Sequence, residues 1–310
     1  MRFRHRDGST VHVGYCATVH PAEDLDGVIA GLDGCAALVR AELDVPVLGV
    51  GLWYASPLAD RLANSPPSLN KLRRTLARNQ LEVVTLNGIP HSHFTDQVVG
   101  TKLFCPDWTE PERLRYTFDL IGVLAELLPA DASYGSVSTL PLAWRMPWSK
   151  ARNTAARDAF ETLWQAGVDV VKGQVAVAPT LVDPSDAVGR HALNQLGTPK
   201  YLRQVREWGG PGVDDVAQAY ELSGHAAWRM HTHLPAHTAP PAPLTATTLV
   251  LEDCLARLVR GGHPLTHHLE SEVFAWPRSA RTKQRLAKRI AKELRWLGDR
   301  LTDLGLEAVH

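Results

Sequence analysis

Short apolar runs of strand length alternate with amphipathic helical stretches along nearly the whole chain, and that rhythm admits few folds. Two parallel strands must be joined by a long crossover, which is usually a helix. Residues 11–20, 45–54, 81–87, 133–144, 168–178 and 266–276 read as the strands. The run VPVLGVGLWY at 45–54 is nearly all apolar, as expected of a strand buried on both faces. Between them, Leu25, Val28, Ile29, Leu32, Ala36 and Val39 keep the helical period. Thr109-Glu110-Pro111-Glu112 matches a capping box with proline in the first turn. Helices are also expected over 149–167, 245–260 and 280–304, and a helical, proline-punctuated excursion over 183–222.

Polar residues collect after the strands: His20, Asn87, His91, Trp144, Gln174 and Glu270. That placement predicts an α/β barrel, TIM-barrel-like, with its site at the carboxyl ends of the strands. A doubly wound sheet is the alternative, but no GxGxxG follows the first strand. There is no P-loop, HExxH or GxSxG either. The whole span 1–310 reads as a single domain.

The last strand, THHLESEVFAW, carries the sharpest chemical signal. Alternate residues of a strand point the same way, which puts His268, Glu270, Glu272, Phe274 and Trp276 on one face. Buried charge must be paired, hydrogen-bonded or metal-bound, so this face is either wet or lines a polar pocket. In WRMHTHLP at 228–235, Arg229, His231 and His233 are expected to share a strand face. Seven of the fourteen histidines lie between His225 and His268. Imidazoles and carboxylates at strand ends are raw material for a metal site or an acid–base pair. Solvated or internally satisfied histidines are the bland alternative.

Lys plus Arg number 33 and Asp plus Glu 33, so no whole-protein attraction to nucleic acid is expected. Cys16, Cys35, Cys105 and Cys254 are scattered without CxxC spacing and read as reduced thiols. The N-terminal MRFRHRDGST has no apolar signal core, and no run reaches membrane-spanning length. The expected location is cytoplasmic. Lys283, Arg285, Lys288, Arg289, Lys292, Arg295 and Arg300 make the closing helix basic. A solvated outer face explains them; contact with an anionic membrane is the lesser alternative.

Several segments together resemble the EboE family. They are Gly14-Tyr15-Cys16 with Val19-His20-Pro21-Ala22-Glu23-Asp24-Leu25, then Gly49-Val50-Gly51-Leu52-Trp53, Thr85-Leu86-Asn87-Gly88 and Ser138-Thr139-Leu140-Pro141-Leu142 with Trp144-Arg145. Later come Trp228-Arg229, His231-Thr232-His233, and His268-Leu269-Glu270 with Glu272. EboE proteins are sugar-isomerase-like members of a metabolite-traffic cluster, within the xylose isomerase-like barrels.

The resemblance implies a divalent-metal barrel acting on a sugar- or cyclitol-like metabolite. It also implies a departure, because one helix at 149–167 leads straight to the segment resembling the seventh strand. About two strand–helix units, with three expected ligands, are missing. By the resemblance, Gln174, His233 and Glu270 are the metal ligands for Mn, Mg, Co or Zn. Glu272 and His231 are the catalytic candidates, and His20, Trp53, Asn87, His91 and Trp144 the substrate contacts. Two readings follow: a metal-dependent isomerase or epimerase, or a non-catalytic degenerate barrel that binds a metabolite or a partner protein. Exposed strand edges would re-pair across the gap or be covered in a homodimer.

Overall fold

The computed structural model describes residues 1–139, 149–165, 172–273 and 282–309. In chain order the first half comprises β1 (Arg2–Arg4), β2 (Thr10–Cys16), α1 (Leu25–Gly31), α2 (Ala37–Leu43) and β3 (Leu48–Trp53). It continues with α3 (Ser56–Asn64), α4 (Pro66–Arg78), β4 (Leu81–Glu82), β5 (Thr85–Asn87), α5 (Pro111–Leu127), β6 (Ser136–Ser138) and α6 (Lys150–Gln165). Next come β7 (Lys172–Val175), β8 (Pro179–Leu181), α7 (Ala187–Asn194), β9 (Val205–Glu207), β10 (Gly212–Val213) and β11 (Trp228–Met230). The chain closes with β12 (Thr245–Ala246), α8 (Thr248–Val259), β13 (His268–Ser271), α9 (Lys283–Asp303) and β14 (Glu307–Val309).

The larger sheet is mixed but mainly parallel. Its parallel strip runs β7–β13–β2–β3–β5–β6, with β4 beside the start of β3. β1 and β14 extend it antiparallel beside the first half of β2. The strip is strongly curled. β6 and β13 stand four strand spacings apart in it, roughly 19 Å in a flat sheet. Yet Ser136 Oγ of β6 meets His268 Nδ1 of β13 at 2.8 Å. Among the described residues no ladder joins β6 to β7, so the curl is not a closed ring of hydrogen bonds.

The curl has a convex face that is apolar and a concave face that is not. Val11, Val13, Tyr15, Leu48, Val50, Leu52 and Leu269 point outward into one core with the helices. In α9 the residues Ile290, Leu294, Leu297 and Leu301 recur at the helical period and are fully buried there. Burying each such side chain contributes about 1.5–3 kcal/mol. The concave face carries His12, Gly14 and Cys16, then Gly49 and Gly51, then His268 and Glu270. The run at 45–54 is therefore not flanked by apolar packing on both sides: Gly51 leaves room on its inner side for the Glu270 and Asn87 side chains, and Gly49 lies against the backbone of β2.

Two expectations are corrected. The excursion over 183–222 is not mainly helical; with its flanks it builds a second, antiparallel sheet, β10–β9–β11–β8–β12. Strands of two or three residues are too short to declare a period of two, which is why the sequence hides them. That sheet packs Leu181, Leu193, Val205, Trp228, Met230 and Leu244 into a core of its own. The expected capping box also fails to form. Thr109 instead donates to Asp107 Oδ1, and Glu110 precedes the first turn of α5 and accepts from the Asp107 N–H at 2.9 Å. Among the described residues no helix is long and apolar enough to cross a membrane.

Candidate active site

The concave face converges on Asn87, at the carboxyl end of β5. Its Nδ2 donates to Glu270 Oε1 at 2.9 Å and to the Gly51 carbonyl at 3.2 Å. Its Oδ1 accepts from Ser138 Oγ at 3.0 Å, Lys172 Nζ at 3.3 Å and Gln174 Nε2 at 3.4 Å. One amide thus ties together β5, β6, β7 and β13. Glu270 is fully buried, and its Oε2 lies 2.5 Å from Lys172 Nζ, whose side chain is 5% exposed. The contact is an ion pair by distance, although Oε2 has no well-angled hydrogen bond. A Cβ built at Gly51 would fall on the Glu270 carboxylate, so glycine there is a condition for the carboxylate's position.

Glu272, two residues on, faces the same way and is also buried. Gln174 Nε2 donates to its Oε1, and His233 Nδ1 lies 3.9 Å from its Oε2. Burial first, and then the charge of Glu270, push the Glu272 carboxyl up to about 8, against a pull downward from Lys172. Two carboxylates share one ammonium here, and the second one keeps its proton at neutral pH. Burial raises the Cys16 thiol well above its usual range, and the two carboxylates add to the effect. Cys16, Glu270 and Glu272 offer ligand atoms within 4.8 Å of one another.

The well grades outward. Asn87, Glu270 and the Lys172 side chain form a buried floor, Glu272 lies above them, and Gln174 and His231 are exposed. His233 sits between because the bridge of Val177 to Leu234 draws its segment against the continuation of β7. Burial, aided by the neighbouring His231, lowers the His233 imidazole to about 3, so it is neutral at physiological pH. The two rings lie 5.6 Å apart. They do not share a strand face as expected. β11 ends at Met230, and Thr232 N donates back to the Met230 carbonyl, which bends the chain at His231.

The sequence candidates thus divide. Asn87, Gln174, His233, Glu270 and Glu272 are brought together, with His231 at the rim. Trp53 lies at the end of β3 on the glycine side, its Nε1 donating to the Pro90 carbonyl at 2.6 Å and its ring 5.4 Å from Phe94. His91 packs edge-on against Tyr116 at 5.0 Å, with no contact to the floor among the described residues. His20 is not part of the well: it receives the Tyr15 hydroxyl at 3.0 Å on the helix side of β2. Tyr15 alternates with Gly14 and Cys16, so it points to the convex core, and its partner follows it. Trp144, Phe274 and Trp276 lie outside the described residues.

Lys172, which shares a strand face with Gln174 as alternation predicts, and Cys16 and Ser138, which stand in the segments that carry the resemblance, enter the site without having been named as site residues. The expected metal ligands, Gln174, His233 and Glu270, are not the closest donor group. Gln174 and His233 approach Glu272 instead, because Lys172 lies against Glu270. Compared with known proteins, the chain matches no protein-family model and no curated protein.

Proposed function

We propose that the chain is an enzyme of the EboE, xylose isomerase-like kind that moves a proton between adjacent carbons of a sugar- or cyclitol-like carbonyl compound. In this reading the curled strip is a TIM-barrel-like α/β fold reduced by about two strand–helix units. Fewer strands leave a narrower interior. The glycines at 14, 49 and 51 suit that narrowing: Gly51 makes room for Glu270 and Asn87, while Gly14 and Gly49 let the backbones of β2 and β3 approach closely.

The observation that carries the reading is the carboxyl of Glu272, buried beside Glu270 and poised at about 8. A general base works best with a pKa near the working pH, and upward shifts of this kind in a polar well are concentrated at functional sites. Ionised, Glu272 takes a proton from carbon through the oxygen that faces His233; protonated, it returns that proton. Gln174 holds its other oxygen and so fixes its direction. The Lys172 ammonium, held by Glu270 and by the Asn87 carbonyl oxygen, supplies positive charge at the floor for a developing alkoxide. His231 stands at the entrance.

A divalent ion would be held by Cys16, Glu270 and Glu272, a set with one soft donor that suits zinc or cobalt better than magnesium. Such an ion would polarise the substrate oxygen, and it would have to compete with Lys172 for Glu270. Deuterium exchange tests the proposal directly. In D2O, the protein should place deuterium on the carbon beside the carbonyl of one member of a panel of aldoses, ketoses and inososes. Glu272→Gln should slow this about 100-fold or more. The wild-type rate should rise with pH through about 8, as Glu272 ionises. No exchange on any panel member, with or without added zinc, cobalt, manganese or magnesium, would leave a binding protein as the surviving reading.

A further inference from the structure

The antiparallel sheet carries a second cleft that the proton-transfer reading does not use. Its volume is about 720 Å³, within the range of roughly 300–1,000 Å³ common to small-molecule sites. Its apolar wall includes Leu193, Ala219 and Leu222, and its polar wall Arg190, His191 and Asn194. Among the described residues that line it, none is acidic. Of the carboxylates nearby, Asp183 accepts from Ser185, Asp186 caps α7 by accepting from Val188 N at 2.9 Å, and Glu207 accepts from Ser223, while Glu221 is exposed between Tyr220 and Leu222. Arg190 is anchored by one bond, from Nη1 to the Pro184 carbonyl at 2.6 Å.

Trp228 is the second, independent sign. It lines this cleft, is 4% exposed, and packs into the core of the sheet. Its indole Nε1 is buried without a hydrogen-bond acceptor among the described residues. Leaving a buried donor unmade is unfavourable, and native structures rarely tolerate it without a reason. Nε1 has no surface open to the cleft, so an acceptor there supplies that bond only with a turn of the ring toward it.

We propose that the cleft binds a small organic oxyanion, with Arg190 as the cation, Trp228 Nε1 as the buried donor and the apolar wall under the ligand's carbon body. The proposal does not depend on the chemistry assigned to Glu272. It is tested on the full chain by calorimetry and by the indole N–H resonances of 15N-labelled protein. The probes are benzoate, phenyl phosphate and uncharged benzyl alcohol. Trp228 is assigned from the resonance missing in Trp228→Phe. The anions should move that resonance downfield, and benzyl alcohol should bind at least about tenfold more weakly. Trp228→Phe should weaken anion binding about fivefold and Arg190→Gln about tenfold, with unchanged melting curves to show that both variants fold. Three results would overturn the site: no shift of the Trp228 indole, equal binding of the alcohol, or parental affinity in both variants. Sedimentation showing that a second copy of the chain covers the cleft would overturn it too.

Discussion

The concave face of the curled sheet has a polar layer at each end, and the two layers treat charge in opposite ways. At the amino ends of the strands, Glu82 accepts from Arg2 Nε at 2.9 Å and pairs with His12 Nδ1 at 3.2 Å. His268 meets Ser136, whose hydroxyl donates to Thr85 Oγ1 at 3.0 Å. Burial alone would raise the Glu82 carboxyl, but the bonds from His12 and Arg2 outweigh it and hold it down at about 2. At the carboxyl ends, Glu270 and Glu272 have, among the described residues, one cation between them, Lys172, and Glu272 is driven the other way, to about 8. Both layers are buried and both are hydrogen-bonded. The difference lies in stoichiometry among the described residues: the layer with two partners for one carboxylate is structural, and the layer with one ammonium for two carboxylates stores a proton.

The largest effect that could break this contrast comes from Lys172. Lys172→Met leaves Glu270 buried without its counter-ion and should cost about 3–5 kcal/mol in chemical denaturation at pH 7. Replacing both partners, Lys172→Met with Glu270→Met, should recover most of that loss, because the penalty belongs to the orphaned charge. A double variant as unstable as the single one would show that the pair is not the unit.

Next in size is a pair of opposite pH slopes. The folded value of Glu272, about 8, lies above the ordinary 4.5, so the folded protein holds this proton more tightly than the unfolded chain. Its stabilisation is complete below about pH 4.5 and is lost as pH rises through 8. Glu272→Gln, which keeps the neutral form, should flatten that fall by about 3 kcal/mol between pH 5 and 7. Glu82 is shifted the other way, so its stabilisation is present above about 4.5 and disappears as pH drops toward 2. Glu82→Gln should therefore remove an acid-side slope worth about 3 kcal/mol and leave the alkaline side alone. If the two variants altered the same side of the stability profile, the contrast between the layers would be gone. The smallest effect is expected from Ser136→Ala, about 1 kcal/mol with no change in either slope, since it removes one neutral partner of His268.

Much of this could be read in the residues themselves. The period of two in HLESE placed His268, Glu270 and Glu272 on one face, and the structure keeps them there, all buried. The apolar stripes of α1 and α9 were legible for the same local reason; that of α5 was not, because its buried face runs through Tyr116, Leu120, Val123 and Leu124 while Phe118 and Ala125, on the stripe the sequence suggests, are exposed. The antiparallel sheet was not, because its strands are shorter than any period that could announce them. Nor was the role of His20: its partner is a tyrosine on the opposite face of the same strand, and which face is inner is not written in one strand.

The chain's own alternation determined which side chains travel together along each element, since backbone geometry fixes that within a few residues. It determined too that the helices would coat an apolar sheet. Only the curl decided that the polar sides meet, bringing Lys172, Asn87, Ser138 and Cys16 from four strands around Glu270 and Glu272. That meeting depends on glycine at position 51 and on how far the sheet turns back on itself. Both act through contacts between residues far apart in the chain, where local pattern carries no information.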